Sequence, residues 1–291
     1  MTLFFQQIVS GISIGAVYSL LAVGYALVYS VYNFTNWAFD AFMVVGAFAG
    51  FYAIVSFHLP FWAAILVAIA MTVASSLLVE TGAYKPLRMR NAPRLFMMIS
   101  AMGANLVLIN LINNLFGGAF RKFPEVTAGT IFIGKVAIGK MDLFAAVFSF
   151  VTLGILWFFL QRTKAGLGIR ASSLDTVTAG ILGVNNNSVA FLIFGITGVL
   201  SAIAGIFYGA KYAVYPYLGV VTTKAMIASI IGGLGSLPGA VVGSLLLGVL
   251  ETLISGYVSS TYRDLFSFTF LIIVLLFMPN GILGAKTEEK L

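Results

Sequence analysis

The chain has 291 residues, of which 60% are hydrophobic and only 9% charged, with a net charge of +7. Soluble domains carry about 25% charged residues, so this composition excludes a soluble globular domain. It also excludes a disulfide framework and any thiolate or Fe–S centre, because the chain has no cysteine.

The apolar residues fall in blocks of the ~20 residues that one helix needs to cross a bilayer. They lack the strict alternation of a membrane β-barrel, so helices are expected to satisfy the backbone in lipid. The expectation is an all-α polytopic bundle, one transmembrane domain over 1–291. The positive charges are then expected in loops that set orientation rather than on a nucleic-acid surface.

In chain order, the first span is predicted over about 7–29. No Lys or Arg precedes Lys85 and no small-residue cleavage site follows, so it reads as a span and not as a signal peptide. The second is predicted over about 33–55. His58-Leu59-Pro60 breaks the chain before the third, over about 61–82. Then "YKPLRMRNAPRL" brings Lys85, Arg88, Arg90 and Arg94 together with no acidic residue. This basic loop, 83–94, is expected in the cytoplasm. The fourth span covers about 95–116, and the loop 117–141 is expected outside. Within that loop "GTIFIGKVAIGK" alternates and contains glycine, which suggests a short hairpin. A fifth span, about 142–160, returns the chain to the cytoplasm for the segment 162–187. Counting back three spans from the basic loop puts the N-terminus outside.

A further span is predicted over about 188–210, followed by "KYAVYPYLGVVTTK" as an outer loop with aromatic interface anchors. The apolar stretch from Ala225 to Tyr257 is too long for one crossing and short for two. Gly232, Gly233, Gly235 and Pro238 interrupt it, as in the discontinuous helices common around transport paths. The last span is about 265–278. Eight crossings result if the broken segment only dips into the membrane, and nine if it crosses twice. Lys286 and Lys290 favour nine, with the C-terminus inside. "GISIGAVYSLLAVGYALVYSVY" near the start echoes "GITGVLSAIAGIFYGAKYAVY" from Gly195, an echo that any two Gly/Ala-rich spans could share.

The chemistry is sparse. Gly129–Val136 matches a phosphate-cradling loop until Val136 stands where Ser or Thr would hold Mg²⁺, so the chain is not expected to bind ATP. The single histidine, His58, sits at a span boundary, and no metal cluster or nucleophile–base set is present. No enzymatic activity, cofactor or metal is expected. Polar residues inside spans are costly in lipid and turn toward the bundle interior or a cavity. Candidates for a translocation path are therefore Asn33, Asn36 and Asp40 at the start of the second span, and Asn110 and Asn113 in the fourth. Glu251 and the glycines 232, 233 and 235 of the broken segment complete the set. Interhelical hydrogen bonding explains the asparagines equally well.

"RTKAGLGIRASSLDTVTAGILGVNNN" (162–187) is a polar insert in an oily chain. Asp175 can cap a short helix through "TVTAGIL", and Gly183 can end it. A helix of about two turns does not stand alone in water, so a cytoplasmic protein partner is implied. The segment resembles the coupling region of ABC transporter permeases, specifically the branched-chain amino acid (LivH-type) family. Thr163, Gly166, Arg170 and Ala171 match its "T-x-x-G-x-x-x-R-A". Ala179, Leu182, Gly183, Val184 and Asn185 match "A-x-x-L-G-[IV]-N". "YKPLRMR", "GGLGSLPGAVVG" and the closing "MPNGILG" resemble three further family elements, in the family's order, while the family's acidic coupling-helix residue is Val177 here.

The resemblance implies a permease subunit of an ABC importer in the cell inner membrane, for hydrophobic amino acids or a related small solute. It would work with a paralogous permease, two cytoplasmic ATP-binding subunits and an extracytoplasmic solute-binding protein. Thr163, Gly166, Arg170, Ala171, Asp175, Ala179, Leu182, Gly183 and Asn185 would then belong to the ATPase contact. The rival reading of the residues is an ion-driven secondary transporter, with Asp40 and Glu251 as ion carriers. A structural membrane subunit without a pore is a second rival.

Overall fold

The computed structural model describes residues 2–124, 129–133 and 136–284. Lys286 and Lys290, and the Gly134-Lys135 centre of the phosphate-loop look-alike, lie outside the described residues. The first helices are α1 (Thr2–Tyr32), α2 (Phe39–Val55) and α3 (Phe61–Val79). A π-turn over Glu80–Tyr84 leads to α4 (Lys85–Met89) and α5 (Arg94–Phe116). The predicted hairpin forms, with β1 (Thr130–Ile133) antiparallel to β2 (Val136–Gly139). Then come α6 (Lys140–Arg162), α7 (Lys164–Leu174), α8 (Thr176–Ile181) and α9 (Asn186–Lys211). The chain closes with α10 (Val221–Gly232), α11 (Leu237–Tyr257) and α12 (Arg263–Phe277).

Among the described residues, seven helical stretches are long and apolar enough to cross a membrane, and α2 and the 218–232 stretch are shorter apolar helices. One end of the bundle carries the hairpin. The other carries α4, α7 and α8, and is called here the basic end.

The bundle is built around α1, whose apolar window is 94% buried against 6% for the last span. Lipid is as apolar as leucine, so close packing must hold α1 in place. Small residues permit it: a β-carbon on Gly248 of α11 would stand 2.6 Å from the α-carbon of Gly15. On the opposite side, a β-carbon on Gly205 of α9 would stand 2.3 Å from the Met43 carbonyl oxygen of α2. Helix α1 packs on α10 and α11, and α9 packs on α2 and α3. The two run in opposite directions between the ends and also pack on each other.

Three expectations change. The second span does not begin at Asn33. Asn33 is left-handed at φ 51°, and the Asn36 Oδ1 accepts from the Ala38 N–H at 3.0 Å, a local bond that competes with helix. The segment 211–224 is only in part a loop: it starts at the hairpin end, where Val214 pairs with Arg121, and then runs inward, with Leu218 and Val221 buried in the bundle. Gly232, Gly233 and Gly235, named as candidates for the translocation path, lie where the broken segment turns back. They form the α10–α11 turn at the basic end, where Gly233 has φ 110° and Gly235 φ 86°. The closing "GILG" pairs with that turn, Leu283 N–H donating to the Gly232 carbonyl at 2.9 Å. A turn this tight needs residues without β-carbons, since one on Gly232 would stand 1.9 Å from the Gly239 carbonyl oxygen.

Candidate functional site

The predicted coupling residues form one capped unit at the basic end. Thr163 caps α7, its hydroxyl accepting from the Gly166 N–H at 3.0 Å. Gly166 lets α7 turn back against α6, since a β-carbon there would stand 2.5 Å from the Leu160 carbonyl oxygen. Arg170 donates to Gln161 Oε1 at 3.0 Å, and the Ala171 carbonyl accepts from the Asp175 N–H. Asp175 caps α8 by accepting from the Val177 N–H at 2.9 Å. Ala179 is buried beneath α8, and Gly183 leaves it at φ 92°. Asn185 then caps α9, its Oδ1 accepting from the N–H groups of Asn187 and Ser188.

The polar sequence hides an apolar tip. Leu174, Val177, Ile181 and Leu182 are 90, 69, 81 and 79% exposed. Four large aliphatic side chains are thus exposed together at the basic end, within a segment that reads as polar.

A second arrangement lies inside the bundle. After α1 the chain re-enters alongside it, and the Phe39 ring packs on Tyr25 with centroids 4.4 Å apart. Helix α2 thus starts about two turns inside the basic end. After α9 the chain dips from the hairpin end and meets it. A β-carbon on Gly219 would stand 1.4 Å from Asp40 Oδ1. Asn105 of α5 completes the contact: its Oδ1 accepts from the Ala41 N–H at 2.9 Å, and its Nδ2 makes a long 3.5 Å contact with Asp40 Oδ2. Asp40 Oδ1 is buried without a hydrogen bond. Asn36 is fully buried and accepts from the Tyr84 hydroxyl at 2.7 Å, which ties the re-entrant segment to the π-turn.

The other candidates disperse. Asn33 is exposed at the basic end. Asn113 is half-buried, and Asn110 is exposed with its amide bonded back to the Leu106 carbonyl at 2.8 Å. Glu251 is buried in an ion pair with Lys224, 3.0 Å away, and also accepts from Tyr18 and Ser267. Those bonds join α1, α10, α11 and α12. Sequence reasoning missed Asn105, Gly219 and Tyr84. Asn105 had a signal, because it continues the stripe of buried Met97, Ala101, Ile109 and Ile112 at helical spacing. Gly219 had none within its own segment.

Discontinuous helices meeting inside a helical membrane bundle are the arrangement found around membrane transport paths. The match to known proteins narrows the class. Residues 7–275 fit the family model described as branched-chain amino acid transport system / permease component. The high-affinity branched-chain amino acid transport system permease protein LivH of Salmonella typhimurium is 34% identical, over 99% of this chain and 97% of its own length. The permease protein BraD of Pseudomonas aeruginosa, of the same description, is 34% identical over 99% and 98%. The chain belongs to the branched-chain amino acid permease family. Its fold resembles the solved PsaBC from Streptococcus pneumoniae in complex with Fab, with a TM-score of 0.55 at 15% identity over 94% of this chain and 91% of that one.

Proposed function

We propose that this chain is the permease subunit of an ABC importer for branched-chain or similar apolar amino acids. The substrate class follows the names of its relatives. The observation that carries the coupled reading is the exposed aliphatic tip of Leu174, Val177, Ile181 and Leu182 on capped helices at the basic end. An ion-driven transporter working alone has no use for such a tip. A cytoplasmic ATP-binding subunit does, and its closure would move α8 and, through Asn185–Asn187, α9.

The basic end is taken as cytoplasmic, because Lys85, Arg88, Arg90 and Arg94 gather there. On that reading α1 begins outside and the chain makes nine crossings, counting the short α2 and α10. Extracytoplasmic solute-binding protein then delivers to the hairpin end. A second permease covers α5. Its outward stripe of Ser100, Gly103, Val107, Asn110 and Asn114 recurs at spacings of three and four, with both asparagines exposed. Asparagine facing lipid is costly, and a paralogous permease there turns the stripe into one wall of the path. Asp40, Asn105 and Gly219 form the constriction behind it.

The test is reconstitution of the complex in liposomes. Uptake of leucine is expected to require ATP and the binding protein and to persist when ion gradients are collapsed by ionophores. Uptake driven by a proton or sodium gradient without ATPase subunits would refute the proposal.

A further inference from the structure

A cleft of about 560 Å³ opens at the basic end between α1, the α4–α5 turn and the coupling helices. Its size is that of a small-molecule site, about 300–1,000 Å³. None of the function above uses it. Its lining divides by chemistry into three parts.

The floor is aliphatic: Val31, Met97 and Val189 are 5, 8 and 4% exposed. One wall favours an anion. Arg94 lines the cleft, and among the described residues it has no carboxylate within ion-pairing distance. It also begins α5, whose N-cap Pro93 provides no side-chain cap and whose first turn has no acidic residue. The Phe96 N–H already bonds the Pro93 carbonyl at 2.9 Å, but the positive dipole end of that 23-residue helix lies at the same wall as Arg94. Ser172, 2% exposed, lines the cleft with its hydroxyl buried and unbonded, a donor with no acceptor. Arg88 lines it too, already paired with Glu80 at 2.8 Å.

The other wall favours a donor. Asn186 uses its Nδ2 to bond the Thr176 carbonyl at 3.1 Å, which fixes the amide orientation. Its Oδ1 is left buried without a partner.

An anion site, an orphaned acceptor and an aliphatic floor in one cleft describe a zwitterionic α-amino acid with an apolar side chain. We propose that this cleft binds such an amino acid from the cytoplasm, the carboxylate at Arg94 and Ser172, the ammonium at Asn186 and the side chain on Val31, Met97 and Val189. This rests on the orientation and substrate class proposed above. The cleft borders Thr176 and Val177 of α8, so an occupant wedges the coupling helix against the α4–α5 turn. Accumulated product therefore slows its own import.

The experiment uses the assembled complex in nanodiscs of phosphatidylcholine, without ATP or binding protein, and measures equilibrium binding of radiolabelled leucine. Saturable binding is expected. Arg94→Gln and Ser172→Ala should each weaken it severalfold or more, and Arg162→Gln, a basic residue of the same end outside the cleft, should leave it unchanged. The 2-oxo acid of leucine, which lacks the ammonium, should bind more weakly to the wild type and equally to wild type and Asn186→Leu. Absence of saturable binding, or binding indifferent to Arg94→Gln and Ser172→Ala, would overturn the proposal. Displacement of leucine by phosphatidylglycerol in the disc would make a lipid headgroup the occupant and overturn it as well. ATP-driven import by the wild-type complex is measured alongside. If import fails while cleft binding behaves as expected, the importer reading falls and the site stands; import without cleft binding gives the reverse.

Discussion

The face of Gly219 that lacks a side chain lies directly on the carboxylate of Asp40, so close that a β-carbon at position 219 would stand 1.4 Å from Asp40 Oδ1 and 2.6 Å from the Asp40 carbonyl oxygen. Residue 219 follows the inward dip from one end of the bundle, and residue 40 follows the re-entrant turn from the other. Their contact is where the two discontinuities of the fold meet.

Gly219→Ala is therefore expected to abolish or cut uptake at least tenfold and to lower the membrane level of a protein that still inserts. Adding Asp40→Ala to Gly219→Ala removes the carboxylate clash but not the one with the Asp40 backbone. It should restore folding stability more than transport. The check is membrane abundance and leucine uptake in the same vesicles, and wild-type uptake by Gly219→Ala would show that the contact does not limit passage.

Gly183 ends α8 at φ 92°. A β-branched residue in this region is strained by about 1–3 kcal/mol, and nothing lies within 4 Å of its added β-carbon. The effect of Gly183→Val is thus conformational and local. Expression should be normal, and affinity for the ATP-binding subunits, read as retention in pull-down, should fall about tenfold for each ~1.4 kcal/mol of strain transmitted to docking.

The aliphatic tip gives a cleaner partner test. Ile181 and Leu182 are 81 and 79% exposed, so Ile181→Ser with Leu182→Ser should change the stability of the isolated permease by no more than about 0.5 kcal/mol per site. The same double variant should lose ATP-binding subunits on purification. Undiminished recovery of those subunits would mean that docking lies elsewhere.

Glu251 and Lys224 decide between a tie and an ion carrier. Their side chains are 1 and 20% exposed, so removing Lys224 alone leaves a buried carboxylate, at a cost of about 3–5 kcal/mol. Lys224→Met should lower the melting temperature markedly, and Lys224→Met with Glu251→Gln should recover most of it. ATP-driven uptake is expected to survive in the double variant. Loss of uptake in that stable double variant would assign Glu251 a role in transport itself.

Orientation is tested with single cysteines in this cysteine-free chain. Arg90→Cys at the basic end should react with an impermeant thiol reagent only after the cells are opened. Thr130→Cys on the hairpin should react in intact cells.

The long apolar helices and the caps of 162–187 were legible because their signals are local. Asp175 and Gly183 bracket α8, as the cap rules require, and Thr130–Ile133 and Val136–Gly139 pair as the predicted hairpin. The tip was misjudged for a local reason too: Val177, Ile181 and Leu182 sit among Thr, Gly and Asn, and only the buried position of Ala179 shows that the aliphatic side chains point outward. The contact of Asp40 with Gly219 was not legible, because it depends on two segments that reverse into the bundle. Residues 211–224 look like a loop with interface aromatics until Leu218 and Val221 are seen buried. Glu251 looked like a functional carboxylate because its partner Lys224 lies on a helix the sequence had merged into the outer loop.

The packing of α1 also sets the order of the protein's birth. Tyr18 of α1 bonds Glu251 of α11 across 233 residues of sequence, and at about 5–20 residues per second of synthesis the ribosome needs roughly 10–50 s to supply that partner. Through that interval α1, the span most enclosed among the described residues, waits in the bilayer with its small-residue face unmatched. Assembly is completed from the last third of the chain backward. A nascent permease stalled or truncated before α11 has inserted its spans but has no centre, and its exposed Gly11–Gly15 face is what membrane chaperones and proteases would meet.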